Sequence, residues 1–154
     1  MSKFSPLLAK HLQQVYFGGN WCGVNVKGLI DKITWEELLQ SNSASNSVLS
    51  LVYHMHYYVQ ALHCVLLKRG LNSKDALSFK VDHICDFSSW LQYKSKLFEE
   101  ANAVAELLLN LQDEQLFAVF EHEQYGNYFD NIFGIIEHLH YHLGQLKLML
   151  SKKA

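Results

Sequence analysis

At 154 residues the chain has room for one ordinary domain with its own core, and 49% apolar against 18% charged residues is a globular balance rather than a disordered or fibrous one. The net charge is −2 and the only arginine is Arg69, so the bidentate phosphate contacts of nucleic-acid binding are nearly absent and no DNA or RNA partner is expected. No apolar run approaches the roughly 18 residues of a membrane span, and Met-Ser-Lys-Phe-Ser-Pro leads into an amphipathic stretch, so a cytoplasmic chain with no membrane partner is expected.

Ser5 and Pro6 read as an N-cap and first-turn pair opening a short helix to about Phe17, which Gly18-Gly19 ends. Residues 18 to 33 are irregular, with a helical turn near Val26 to Asp31, and Thr34-Trp35-Glu36-Glu37 reads as a capping box. The Ser/Asn cluster at 41 to 47 is a linker and cap. Apolar residues then recur at helical spacing from Val48 to Leu66, with Gly70 as the stop. A polar connection precedes a third helix, from about Phe87 to Leu111, rich in alanine and leucine and carrying Trp90 early. A second connection, residues 112 to 127, leads into the last long helix, Tyr128 to about Ser151. No strand pattern appears. Each of the four main helices has one apolar stripe, and the simplest packing is an all-α, up-and-down four-helix bundle forming a single domain over residues 1–154; long connections permit simple or crossed-over topology.

Cys22, Cys64 and Cys85 lack CxxC spacing and are expected as reduced thiols, Cys64 in the core and Cys22 in a loop. Nine histidines carry the main chemical signal, three of them in Glu137-His138-Leu139-His140-Tyr141-His142. At about 100° per residue, His138 and His142 share one helix face with Asn131, Gln145 and Met149, while His140 points away with Glu137 and Lys147. Two imidazoles one turn apart, joined by a third from a facing helix, make a metal site with open coordination positions. The second helix offers His54 on one flank of its apolar stripe and His56 with His63 on the other, and periodicity does not choose among them.

Two segments then resemble the DinB-like (YfiT-like) superfamily: Ser50-Leu51-Val52-Tyr53-His54-Met55 and His138-Leu139-His140-Tyr141-His142-Leu143-Gly144-Gln145. Asn20-Trp21 with Gly23-Val24, Ile33-Thr34-Trp35-Glu36 and Trp90 are similar to a branch of it. The resemblance implies His54, His138 and His142 as ligands of a divalent metal, zinc or nickel. It also implies a metal-dependent transferase, using a low-molecular-weight thiol, or a hydrolase acting on a small molecule. Lys27, Lys32 or Lys94 would anchor an anionic thiol, Tyr141 would lie beside the metal, and Glu137 is a weak base candidate because its phase is outward. The alternative is a non-catalytic helical bundle whose histidines are structural or unoccupied; Asn131 or Gln145 as a fourth ligand would mark that case. Tyr53 and Tyr57, four apart and off the main stripe, are expected as an exposed patch through which a homodimer forms.

Overall fold

The computed structural model describes residues 2–41 and 46–151, so Asn42, Ser43 and Ser45 of the polar linker lie outside the described residues. Helices α1 (Ser5–Phe17), α2 (Val26–Ile30), α3 (Trp35–Leu38), α4 (Val48–Leu66), α5 (Phe87–Leu109), α6 (Asp113–Leu116) and α7 (Tyr128–Ser151) follow in order, with 3₁₀ turns at Asp75–Leu77 and Glu123–Tyr125. The fold is all-α, with no strand among the described residues beyond two isolated bridges. One apolar core runs through α1, α4, α5 and α7, around Leu12, Leu51, Leu97, Leu139 and the fully buried Trp90. None of the described helices is long and apolar enough to cross a membrane.

Each of the four core helices packs chiefly on two others: α1 on α5 and α7, and α4 on α5 and α7. Paired residues give their directions. Ser5 Oγ at the start of α1 donates to the Leu111 carbonyl just past the end of α5, at 2.8 Å, so these two run antiparallel. Tyr53 packs on Tyr93 while Gln60 donates to Glu100, so α4 and α5 run parallel. His54 meets His138 and His142, whereas Leu62, two turns later, shares a cavity with Asn131 and Ile135, so α4 and α7 are antiparallel. The order of directions is therefore up, down, down, up, which is the crossed-over topology the long connections permit and not the simple alternating one. The connection between α4 and α5 allows this, because a chain of about twenty residues can span far more than the roughly 28 Å length of α4.

Two predicted helix ends also move. The Ser5 hydroxyl is spent on α5 and Ser5 is already the first helical residue, so Phe4 holds the cap position without a side-chain capping bond, while Ser2 Oγ accepts the Ser5 amide at 3.0 Å. Gly70 does not terminate α4. Lys68 takes the left-handed conformation at φ 60°, and Arg69 N–H closes onto the Cys64 carbonyl at 2.9 Å, satisfying a terminal acceptor in a Schellman-type closure. The Thr34–Glu37 capping box forms as expected, with Thr34 N donating to Glu37 Oε2 at 2.9 Å and Glu37 N to Thr34 Oγ1 at 3.2 Å.

His56, only 1% exposed, sits in a polar bridge among three helices. Its Nε2 lies 2.9 Å from Glu100 Oε2, an acceptor, so this nitrogen carries the proton and Nδ1 accepts from the Tyr16 hydroxyl at 2.9 Å. Burial lowers the His56 pKa, although Glu100 opposes this, and raises that of the enclosed Tyr16 phenol. The expected Tyr53–Tyr57 patch is partly covered by the chain itself. Tyr53 packs against His83 and Tyr93, at 5.3 and 5.6 Å between centroids, and the Tyr57 hydroxyl accepts from Lys74 N at 2.8 Å. Both rings are half-buried because the α4–α5 connection folds back over them.

Candidate metal centre

His54 lies in the second turn of α4, a helix started by Ser47, whose side chain accepts from Ser50 N. His138 and His142 are one turn apart on α7, and the antiparallel crossing of α4 and α7 sets His54 opposite them. His138 Nε2 is 3.0 Å from His54 Nε2 and 3.0 Å from His142 Nε2, and one nitrogen from each ring falls within 4.8 Å of the others, a set able to hold one metal ion.

The outer nitrogens fix the tautomers. His54 Nδ1 is 2.9 Å from Ser78 Oγ, whose own proton goes to the Asp75 carbonyl at 2.8 Å, so Ser78 accepts and His54 Nδ1 donates. His142 Nδ1 is 2.8 Å from Gln145 Oε1, an acceptor only, so it too carries the proton. Both Nε2 atoms therefore present lone pairs to His138 Nε2. That atom holds at most one hydrogen and can satisfy at most one of them, whereas a central cation satisfies all three. Tetrahedral coordination at about 2.0–2.1 Å places nitrogens roughly 3.3–3.4 Å apart, so the two 3.0 Å pairs would open by a few tenths of an ångström while the His54–His142 pair, within 4.8 Å, would settle at the same spacing. His138 Nδ1 is buried with no hydrogen-bond partner among the described residues.

The surroundings keep these rings neutral. Burial, then the neighbouring imidazoles His138 and His142, bring His54 down to about 4. Burial and His142 do the same for His138, also to about 4, and burial lowers His142 against the upward pull of Gln145. At neutral pH all three rings are unprotonated bases, the form a metal requires. Phe79 stacks on His54 at 3.9 Å and 8°, and Tyr58 sets its ring edge against both His54 and His138, at 5.3 and 4.9 Å.

Of the other sequence candidates, His56 serves the bridge to Glu100, and His63 is not in the group. His140 donates from Nδ1 to the Ile136 carbonyl at 2.9 Å, and Glu137 is exposed, so both stay outside. Tyr141 does lie against His142, at 4.9 Å. Asn131 lies two turns, about 10 Å, before His138 on α7 and turns its amide to the Tyr125 and Asn127 carbonyls, at 2.6 and 2.8 Å, and Gln145 Oε1 accepts from the far side of the His142 ring, so neither closes the site. Lys27 pairs with Asp31 and Lys94 donates to the Asp31 carbonyl, which ties both to the α2–α5 junction. Cys22 and Cys85 are exposed and Cys64 is half-buried, all as free thiols.

Ser78, Phe79 and Tyr58 are parts of this site that the sequence reading missed. No pattern marks Ser78 within a polar connection; Tyr58, one turn past His54, was available from helical spacing. Ser78→Ala is expected to weaken zinc binding about ten- to a hundredfold, because it leaves the His54 Nδ1–H without its acceptor and the ring free to rotate. Competition with a chromophoric chelator measures this, and an unchanged affinity would remove Ser78 from the site.

Comparison of the chain with family models, with curated proteins and with solved structures found no match.

Proposed function

We propose that His54, His138 and His142 bind one divalent ion, and that the protein is a DinB-like helical-bundle enzyme, a metal-dependent transferase using a small thiol or a hydrolase of a small molecule. One observation carries this reading: two rings whose Nδ1 atoms are tied to Ser78 and Gln145 aim their Nε2 lone pairs at a third imidazole nitrogen. Four core helices closing around one apolar interior support the bundle assignment. His138 departs from the pattern of the other two rings, since its outer Nδ1 has no acceptor among the described residues.

Three neutral imidazoles suit zinc and nickel alike. Such an ion, when bound, supplies the Lewis acidity that turns a thiol or a water molecule into a nucleophile at neutral pH. The chain's own residues do the rest. Ser78 and Gln145 hold two rings in the productive tautomer, and Phe79 and Tyr58 shield the nitrogens from bulk water. With no carboxylate or thiol joining the three histidines among the described residues, Asn131 two turns away on α7 and Gln145 Oε1 accepting from His142 Nδ1, a bound ion would keep coordination positions for a reactant. This favours catalysis over a purely structural ion.

Mass-spectrometric metal analysis of protein purified without a histidine tag tests the reading. About one equivalent of zinc or nickel per chain is expected after loading and gel filtration. Stoichiometry below about a tenth of an equivalent would overturn it.

A further inference from the structure

A cavity of about 310 Å³ lies beside the histidines, between α4 and α7 and under the turns that carry Asp75 and Tyr125. Its walls are aromatic and aliphatic, from Tyr58, Phe120, Tyr125, Leu71 and Ile135, with Ser73 and Asn131 as uncharged polar points. The lining holds one carboxylate, Asp75, at the solvent-exposed mouth, and no lysine or arginine. Asp75 Oδ1 accepts the Tyr58 hydroxyl at 3.0 Å, and no basic side chain forms an ion pair with Asp75 among the described residues. A second carboxylate stands just behind the wall, where Glu121 Oε2 accepts Leu71 N–H at 3.1 Å.

We propose that this cavity binds a small organic ammonium ion with an apolar body, its charge on Asp75 and its body against the aromatic walls. A bare metal ion needs several oxygen ligands, which one carboxylate does not supply, and an anion would meet Asp75 with nothing to offset it. An ammonium group gains both the carboxylate and the faces of neighbouring rings, and an arylalkyl body suits the apolar remainder. The volume of about 310 Å³ falls at the small end of the range for small-molecule sites.

Tyr58 is the shared wall, with its ring edge on His54 and His138 and its hydroxyl on the cavity's carboxylate. A molecule held by Asp75 therefore sits one ring away from His54 and His138. That it is a substrate rests on the metal reading; that it binds does not.

Calorimetric titration of the full chain, metal-free and zinc-loaded, with 2-phenylethylamine, 2-phenylethanol and 3-phenylpropanoate tests this. The amine is expected to bind both forms at least about tenfold more tightly than the alcohol or the acid. Asp75→Asn, which keeps an acceptor for Tyr58, is expected to weaken the amine by about tenfold or more while circular dichroism and zinc content stay unchanged. Equal binding of the acid or alcohol, an unaffected Asp75→Asn variant, or no saturable amine binding up to about 10 mM would overturn the proposal. Amine binding without zinc binding would defeat the metal reading alone, and zinc binding without amine binding would defeat the cavity site alone.

Discussion

Alanine at His54, His138 or His142 is expected to weaken zinc binding at least about a hundredfold in each case, and alanine at His140 to leave it unchanged. Each of the three rings contributes one convergent nitrogen, and losing any of them leaves a two-nitrogen site of the kind found on many protein surfaces. His140 is two residues from each of its neighbours but a different face of α7 from them, and its Nδ1–H is committed to the Ile136 carbonyl. The comparison is informative because all four substitutions remove the same ring from a histidine-rich chain. Equilibrium dialysis against zinc separates the outcomes. If His140→Ala lost metal as fully as His142→Ala, binding would be a diffuse property of the histidine cluster and the defined site would be wrong.

Trp90→Ala is expected to cost about 3–5 kcal/mol of folding stability, with Trp90→Phe costing clearly less. The indole is 0% exposed near the start of α5 and packs against Tyr93, so truncation to a methyl group opens a cavity that the surrounding helices cannot collapse to fill. Its Nε1 has no hydrogen-bond partner among the described residues, so a phenyl ring forfeits packing volume and no hydrogen bond. Urea unfolding followed by circular dichroism measures both variants. A phenylalanine variant as unstable as the alanine one would show that the indole nitrogen, and not the ring volume, carries the contribution.

The long helices were legible because their burial pattern is local: α7 spans Tyr128–Ser151 as the spacing of Ile132, Ile136, Leu139, Leu143 and Leu146 requires. The pairing of His138 with His142 follows from the same geometry. The choice of His54 over His56 was not legible, since α4 is covered on both flanks and buries both residues. What distinguishes them is tertiary: Glu100 and Tyr16 face one ring, and Ser78 and two imidazoles face the other. The helix directions escaped for a related reason. Apolar stripes show that helices pack, whereas direction depends on the path of polar connections that leave no periodic trace. Ser5 and Lys68 show the same limit at helix ends, where a long-range hydrogen bond and a left-handed lysine displaced the local rules.

The parallel course of α4 and α5 bears on how the chain reaches this structure. In an alternating bundle, successive helices zip into hairpins as soon as each is made. Here α1 finds its principal partners only in α5 and α7, and the bond from Ser5 to Leu111 spans 106 positions. The His54–His138 contact spans 84. Large loops must therefore close before burial repays them, and the chain should fold more slowly than simple helical bundles of its size. The nascent chain has no finished core until α7 emerges, so a ligand drawing α4 and α7 together would act on the last closure and lengthen the lifetime of the native state.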